Sequence, residues 1–310
     1  MTMLVTGCAG YLGNVLCRKL LNRGDQVICF DNIYKGHCDS LLDIASHPNF
    51  EFIYGNVTKL SDCITAIQKC DAIFHLAGIV GFPRCAREPE LSYLVNVKGT
   101  QNIILARNEV NNNIPIVYSS TGSIYGRIEG LCTEDSPRNP QSEYGVHKHQ
   151  AEELIRNIRR TVSLRFATCF GCSSNMRNNL LINELVFQAI HNRCFTVFEP
   201  DARRTFIHIQ DLCDSFIYFL DHIDSLKYNV YNCGHPDLNW TKRQVAEYIK
   251  DKTGCVVSYQ EFAKDLDQRD YTVCYDRMLN EGFKPKITMQ IGIDELIKVI
   301  PLLRNRNPYD

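Results

Sequence analysis

The sequence predicts an α/β fold in which a doubly wound parallel sheet is joined to a smaller, interleaved α/β domain. Three observations predict it. Short apolar runs alternate with amphipathic stretches, the first run leads directly into a glycine-rich turn, and the second ends in an aspartate. This alternation is typical of a parallel sheet with helices on both faces, and the turn and aspartate are typical of the Rossmann type.

The apolar or β-branched runs define the order of the predicted strands. Right-handed crossovers would bring the carboxyl ends of these strands to one edge of the sheet, where ligands bind. The predicted strands lie near 3–6, 27–31, 51–55, 72–76, 115–119 and 162–166, with a further strand at 228–233. Because that last strand returns to the sheet after a polar segment, the two domains interleave: 1–170 plus about 209–235, and about 171–208 plus 236–310.

The first strand runs into glycines at positions 7, 10 and 13, the spacing G-x-x-G-x-x-G. Glycines here let the backbone turn tightly and approach a pyrophosphate, and they direct the N-terminus of a helix predicted at about 11–23 toward it. Asp31 follows 18 residues after Gly13, where a carboxylate binds the ribose diol of a dinucleotide. That carboxylate would repel a 2′-phosphate, and only Lys35 is near enough to offset it. NAD is therefore favoured over NADP.

Tyr144 and Lys148 stand four residues apart, and Thr121 precedes them at the end of a predicted strand. On a helix, this spacing places the tyrosine and the lysine side by side. A free phenol titrates near ~10, and a neighbouring ammonium stabilises the phenolate and lowers that pKa, so the oxygen can act as a general base. We expect Tyr144 to take the proton of a substrate hydroxyl that Thr121 also contacts.

Composition excludes several other classes of protein. The chain has 310 residues, 34 basic and 35 acidic, and a net charge of −1, so nothing marks it for nucleic acid or an anionic membrane. We find neither a signal peptide nor a long apolar run, and we expect a cytoplasmic location.

The 15 cysteines are scattered along the chain, and we expect them to be reduced thiols in the core. Cys169 and Cys172 form a C-x-x-C pair that could suggest metal or redox chemistry, but no second pair accompanies it, and we expect no metal.

With these motifs in order, the chain resembles the extended short-chain dehydrogenases/reductases of the NAD-dependent epimerase/dehydratase group, which act on nucleotide sugars. The resemblance covers nearly the whole chain and implies NAD as cofactor and a nucleotide-diphosphate sugar as substrate. It implies further cofactor contacts from Tyr11, Leu12, Asn32, Asn56, Val57, Leu76, Ala77, Gly78 and Ser119, beside Tyr144 and Lys148. It also implies substrate contacts from Val80, Gly81, Ser123, Asn179, Arg204 and Arg269, although a surface role for Arg269 stays open.

The residues after Thr121 distinguish subclasses within this resemblance. Sugar 4,6-dehydratases have Asp-Glu there, and decarboxylating relatives have a Glu at the second position, whereas this chain has Gly122 and Ser123. Without a carboxyl group, elimination lacks its proton shuttle, so a 4,6-dehydratase is not expected. The motif is closer to UDP-galactose 4-epimerase, and other segments resemble GDP-heptose C4-dehydrogenases.

The implied reaction begins with oxidation of the sugar C4 hydroxyl, and we expect a 4-epimerase. A net C4-dehydrogenase and a 4-keto reductase stay open, because the same residues serve each. A catalytically idle NAD-binding sensor stays open as well, since fold alone never excludes it. The resemblance also implies a homodimer in which the helix holding Tyr144 and a long helix near 91–110 pair with their copies.

Overall fold

The computed structural model of the chain describes residues 1–34, 36–128, 130–260 and 272–303. Within them, the strands are β1 (Thr2–Thr6), β2 (Gln26–Asp31), β3 (Phe50–Tyr54), β4 (Ala72–His75), β5 (Ile116–Thr121), β6 (Leu131–Cys132), β7 (Thr161–Phe166), β8 (Thr168–Phe170), β9 (Cys194–Phe198), β10 (Arg203–His208), β11 (Val230–Cys233), β12 (Asn239–Thr241), β13 (Val256–Gln260) and β14 (Thr272–Val273).

The helices in the same residues begin directly after the glycine-rich turn. They are α1 (Gly13–Arg23), α2 (Leu60–Ile67), α3 (Phe82–Arg87), α4 (Pro89–Tyr93), α5 (Gly99–Asn111), α6 (Glu143–Ile155), α7 (Leu181–His191), α8 (Ile209–Asp221), α9 (Lys242–Thr253), α10 (Asp276–Asn280) and α11 (Met289–Val299).

Seven parallel strands form the main sheet, in the order β11-β7-β5-β4-β1-β2-β3. Leu4 of β1 pairs with Ile28 of β2 on one side and with Ile73 of β4 on the other. All three are buried, as expected for a parallel sheet covered on both faces. The predicted doubly wound α/β fold is therefore confirmed, and the order in which strands are added to the sheet reverses between β1 and β4.

Helices cover both faces of this sheet. On one face, Leu16 and Leu20 of α1 and Phe216 of α8 belong to the largest apolar core. On the other face, Ala66 of α2 and Ile103 of α5 pack in a separate core. Both layers direct the helix N-termini toward the same edge of the sheet, because each helix follows a parallel strand.

A further apolar core gathers side chains from α7, α9 and α11 with β9 and β10. The strands around it form two small sheets, β12-β10-β8 and β13-β9, while β14 pairs with β6. β11 belongs to the main sheet although it follows β9 and β10 in the chain. We propose that the main sheet and this further core correspond to the two interleaved domains, with the boundaries given above.

The long helix predicted near 91–110 differs in one respect from the structure. A π-helical turn at Leu94–Lys98 separates α4 from α5. It carries the buried Asn96, whose amide donates to the Ile79 carbonyl at 2.9 Å and whose Oδ1 accepts the Ile79 N–H at 3.0 Å. π-Helical turns are frequent at functional sites. Here the turn fixes the loop that follows β4.

Among the described residues, no helix combines the length and the apolar character needed to span a bilayer.

Candidate active site

The predicted motifs converge at the carboxyl edge of the main sheet. Gly7 follows β1, Asp31 ends β2, Ala77 follows β4 and Thr121 ends β5, and these four strands are neighbours in the sheet. The order of the strands reverses between β1 and β4, and open parallel sheets bind their ligands at such a point.

In the glycine-rich turn, positions 7 and 13 have no room for a side chain. Gly7 has φ +70°, and a Cβ on it would lie 2.8 Å from the Ala77 Cα, while a Cβ on Gly13 would lie 2.3 Å from the Gly7 carbonyl oxygen. Gly10 closes the turn by donating its N–H to that same oxygen at 3.1 Å. The N-terminus of α1, with Leu12 as the cap residue, has neither a side-chain cap nor an acid in its first turn. Its positive end is thus left for phosphate oxygens.

Asp31 supports the same loop from the tip of β2. Its carboxylate accepts the N–H of Ala9 at 3.0 Å and the N–H of Ile33 at 2.8 Å. Burial raises the pKa of this carboxyl, and these backbone donors oppose the rise. Each carboxylate oxygen keeps further lone pairs, so the group suits a ribose diol. Asn32 follows and is half-buried. The glycines, the free helix end and the carboxylate fit a dinucleotide such as NAD.

The loop after β4 is held by hydrogen bonds to the Thr6 side chain of β1. The N–H groups of Leu76 and Ala77 both donate to Thr6 Oγ1, at 3.1 and 3.0 Å. A Cβ on Gly78 would lie 2.7 Å from Asn96 Oδ1, so only glycine fits there. This loop therefore has a fixed path beside the glycine-rich turn.

The other predicted cofactor residues occupy neighbouring loop ends. The Asn56 side chain accepts the N–H of Thr58 at 3.0 Å and thereby shapes the turn after β3. Val57 is buried and packs against Gly99 at the start of α5. Ser119 of β5 donates to the His75 carbonyl at 3.0 Å.

Tyr144 and Lys148 both lie on α6, one turn apart, and α6 packs against β5 and the turn that follows it. Ser142 caps the helix by accepting the Gly145 N–H. A Cβ on Gly145 would lie 2.9 Å from the Ser123 carbonyl oxygen, which shows how closely α6 approaches the end of β5. The structure thus places the helix of Tyr144 and Lys148 against the end of the strand that carries Thr121. Tyr144 is half-buried, whereas Lys148 is buried.

Lys148 is buried against an aromatic ring. Its Nζ lies 4.1 Å from the centre of the Tyr118 ring. Burial lowers the pKa of Lys148 to about 7, and the carboxylate of Glu152 opposes that shift. Because little water screens this ammonium, its field acts strongly on neighbouring groups. The buried His75 lies nearby, where burial lowers its pKa to about 3.

Thr121 and Ser123 form a hydroxyl pair at the end of β5. Thr121 Oγ1 donates to Ser123 Oγ at 3.2 Å and accepts the Ser123 N–H at 3.2 Å. Ser123 is half-buried, whereas Thr121 is buried. Two hydroxyl groups, with no carboxyl group at positions 122 and 123, stand beside the end of α6 that carries Tyr144.

The predicted substrate residues are less uniformly placed. Arg204 is buried on β10, where it pairs in register with Trp240 of β12. Val80 and Gly81 are half-buried, and Gly81 has φ +94°. Asn179 is exposed. Arg269 lies outside the described residues.

Three polar side chains on this side of the cleft were not among the predicted site residues. Arg177 reaches toward the loop after β4, where a Cβ on Gly81 would lie 3.5 Å from its Nη2. Burial lowers the pKa of Arg177, and the phenol of Tyr144 leads the groups that oppose the shift. Arg84 stacks on Tyr34, and its buried Nη2 meets no hydrogen-bond acceptor in the described part of the chain.

Asn178 is the third polar side chain that was not among the predicted site residues. It is buried, unlike its neighbour Asn179, and its Oδ1 accepts no hydrogen bond from any described residue. An unsatisfied buried amide oxygen costs free energy, which makes it a candidate for a ligand contact. The polar run before α7 was a usable sequence signal, but it did not show which of its residues turns inward.

The dinucleotide turn and the segment 171–175 are joined by a set of hydrogen bonds. Tyr11 Oη donates to the Gly171 carbonyl at 2.8 Å. The side chain of Asn14 donates to Ser173 Oγ, and Asn175 donates to the Ala9 carbonyl, both at 2.8 Å. The loop beside the cofactor motif and the loop leading to Arg177 are therefore directly linked.

Cys169 in the middle of β8 and Cys172 just after that strand are free thiols. Burial raises the pKa of each to about 12. Metal binding and thiol exchange need the thiolate. The described residues contain no group of three His, Cys, Asp or Glu side chains placed for a metal ion. The C-x-x-C pair is better explained as packing.

Comparison with known proteins gives concordant results. The NAD dependent epimerase/dehydratase family matches residues 3–234. CDP-paratose 2-epimerase of Salmonella typhi is 25% identical over 96% of this chain and 98% of its own. UDP-glucose 4-epimerase of Lactobacillus helveticus is 29% identical over 84% of each chain.

Among solved structures, DesIV, a dTDP-glucose 4,6-dehydratase from Streptomyces venezuelae, superposes with a TM-score of 0.85 and 24% identity. The match covers 96% of both chains. At this identity the likeness concerns the fold.

Proposed function

Since the chain belongs to the NAD dependent epimerase/dehydratase family and is an NAD-dependent enzyme of that family, we propose that it oxidises the C4 hydroxyl of a nucleotide-diphosphate sugar and acts as a 4-epimerase. The observation that carries this proposal is the position of Lys148, buried against Tyr118 one helical turn from Tyr144 and beside the end of β5 that carries Thr121.

In the proposed reaction, Tyr144 takes the proton of the C4 hydroxyl, because its half-buried phenol lies one helical turn from Lys148 on α6. Lys148 stabilises the phenolate through a field that little water screens. Thr121 fixes the position of the same substrate oxygen by turning toward it the hydroxyl proton that Ser123 Oγ accepts in the ligand-free protein. When bound, NAD supplies the hydride acceptor that turns the alcohol into a ketone.

The substrate diphosphate needs local positive charge, since the whole chain carries a net charge of −1. We propose that Arg204 binds it, because this arginine is buried on β10 beside the cleft segments. Guanidinium groups bind phosphate oxygens in pairs, which also orients the ligand. Arg177 and Asn178 lie on the loop that leads from β8 into the same region.

Two observations support epimerisation over elimination. Positions 122 and 123 carry no acid or base for removing water, and the match to the Lactobacillus helveticus 4-epimerase covers most of both chains. Dehydratases share the fold, as the Streptomyces venezuelae structure shows, so the prediction that this chain is not a 4,6-dehydratase belongs to the proposal.

The test is incubation of the purified protein with NAD⁺ and UDP-, GDP-, dTDP- and CDP-sugars, with NADH absorbance and product stereochemistry as readouts. Inverted C4 without net NADH is expected. Accumulated NADH with a ketone would mean a dehydrogenase, and a 4-keto-6-deoxy product would mean a dehydratase.

The assignment of the base is tested by Tyr144→Phe, which is expected to reduce kcat by a factor on the order of 10³. Tyr54→Phe is the matched control, because Tyr54 is exposed at the end of β3. Wild-type turnover by Tyr144→Phe would refute the role of Tyr144.

We also propose a homodimer formed through α5 and α6. These helices pack side by side, and apolar side chains along them or just before them are exposed, namely Leu94, Leu105 and Leu154. Two copies facing each other would cover these residues in an isologous contact. Elution as a monomer in sizing chromatography at micromolar concentration would refute this.

A further inference from the structure

A buried ion pair lies directly behind the candidate catalytic residues. Arg165 of β7 donates from Nε to both carboxylate oxygens of Glu152, at 3.1 and 3.0 Å, and from Nη2 to Oε1 at 2.5 Å. The side chains are 2% and 0% exposed. Removing two charges from water costs several kcal/mol for each ion, and apolar replacements of such pairs are often neutral or stabilising. Stability alone is therefore a weak reason for this pair.

The pair is bonded to both segments that carry the catalytic residues. Glu152 lies on α6, one turn after Lys148 and two turns after Tyr144. Its Oε2 accepts a hydrogen bond from Ser120 at 2.5 Å, and Ser120 immediately precedes Thr121 on β5. The same carboxylate thus joins the helix of the proposed base to the strand of the substrate-binding hydroxyl.

Arg165 extends this connection across the sheet. It pairs in register with Ser120, and its Nη1 donates to Tyr125 Oη at 2.9 Å and to the Glu134 carbonyl at 3.0 Å. Tyr125 follows the turn that contains Ser123, and its hydroxyl in turn donates to Asn232 of β11. Four chain segments around the site are therefore fixed by one buried charge pair.

Glu152 also acts on the charge of Lys148. Burial lowers the pKa of Lys148 to about 7, and Glu152 is the first group that opposes the shift. Groups on three other elements interact with Lys148, namely Tyr118 on β5, His75 on β4 and Cys85 on α3, and Tyr144 lies one turn before it on α6. His75 is kept neutral by burial, Cys85 is a thiol whose pKa burial raises, and Arg165 is already paired.

We propose that Glu152 and Arg165 are positioning residues, which hold Tyr144 and Lys148 against Thr121 and keep an anion one turn behind Lys148. The inference rests on the proposed function, since it assigns no contact with the substrate to either residue. It predicts that the carboxylate contributes to catalysis through Lys148, beyond its contribution to folding.

The chain offers a matched pair of variants. Glu152→Gln keeps the size of the side chain and an acceptor for Ser120 but removes the charge. Glu153→Gln is the control, because Glu153 is exposed and pairs with Arg138 and Arg156 at the surface. The double variant Glu152→Gln with Arg165→Met removes both charges, so that no unpaired arginine is left in the core.

The first readout is the pH profile of kcat, with KM measured at each pH for a nucleotide sugar that the wild-type enzyme converts. Glu152→Gln is expected to lower kcat about 10- to 100-fold with KM within about threefold, and to move the alkaline limb to lower pH by about half a unit or more. Glu153→Gln should stay within about twofold of wild type. The double variant should melt near the wild-type temperature and show the same loss and the same shift.

The second readout is independent of turnover. ¹³C NMR of the lysine Cε carbons in the NAD-free protein, with the Lys148 signal assigned by its absence from Lys148→Met, should show a lower pKa for Lys148 in Glu152→Gln and an unchanged one in Glu153→Gln. A double variant with the wild-type pH profile, or one that does not fold, would overturn the proposal. If Tyr144→Phe were fully active, the proposed function itself would fail, whatever the Glu152 variants showed.

Discussion

The two sides of the cleft are built in different ways. On the dinucleotide side, the contact surface consists of backbone and glycines, with a Cβ on Gly13 excluded at 2.3 Å and Asp31 fixed by two N–H donors. On the substrate side, Arg84 of α3 and the adjacent Arg177 and Asn178 before α7 contribute two long cationic side chains and a buried amide oxygen that accepts no hydrogen bond from the described residues. The dinucleotide side is therefore defined by the path of the backbone, whereas the substrate side is defined by side chains. Substitutions should affect the two sides differently.

The largest effect is expected in the glycine-rich turn of the dinucleotide side. Gly13→Ala should lower the affinity for NAD on the order of 100-fold or more, because the added Cβ would displace the Gly7 carbonyl and the start of α1. Calorimetric titration with NAD⁺ measures this. Gly254→Ala is the control, since Gly254 also has a positive φ but meets no atom within 4 Å, and it should cost about 1 kcal/mol of stability without affecting NAD. Wild-type NAD binding by Gly13→Ala would remove the distinction between the two sides.

A second effect is expected where the sides meet, at Lys148. The unfolded lysine keeps its proton up to about pH 10.5 and the folded one only up to about 7. Between these values the unfolded state binds more protons, so the free energy of unfolding rises with pH. Lys148→Met should remove this slope and stabilise the NAD-free protein at pH 7 by about 4 kcal/mol. Urea unfolding at pH 7 and pH 9 tests this, with the exposed Lys284→Met as control. An unchanged slope would count against a desolvated ammonium.

A third effect should be confined to the substrate side of the cleft. Arg177→Met is expected to raise KM for the nucleotide sugar about 10- to 100-fold while the affinity for NAD changes less than about twofold. Arg87→Met is the control from the neighbouring helix α3, because Arg87 is exposed. Equal losses of NAD and sugar affinity would show that Arg177 belongs to the cofactor side.

The smallest expected effect separates two adjacent asparagines. Asn178→Ala should raise KM about tenfold, because its buried Oδ1 has no donor among the described residues, and Asn179→Ala should change KM less than about twofold. Steady-state kinetics on both variants decide between them. The reverse order would restore Asn179, which the sequence favoured, as the residue that contacts the substrate.

The same contrast explains how much could be predicted from the sequence. The strand that enters the glycine turn and the aspartate that ends β2 are local patterns, and the structure places β1 and β2 within a residue or so of the predicted runs. Such motifs encode their own geometry, because the spacing of glycines fixes the path of the backbone.

The substrate side could not be derived in this way. The approach of Arg177 to Gly81 joins loops that are far apart in the chain, and no spacing rule describes it. The π-helical turn at Leu94–Lys98 and the pair of Glu152 with Arg165 likewise depend on tertiary packing. Glu152 follows Lys148 at the same four-residue interval as Lys148 follows Tyr144, which is a visible pattern, but burial and a partner strand were needed to give it meaning.

The hydrogen bonds from Tyr11, Asn14 and Asn175 to the opposite loop have a consequence for the order of events. A dinucleotide that orders the glycine-rich turn should also order the segment leading to Arg177. The substrate side of the cleft would then be ordered before the sugar binds. Protein stripped of NAD should therefore hold its sugar nucleotide more loosely, and sequential binding with the dinucleotide first is the kinetic signature to expect.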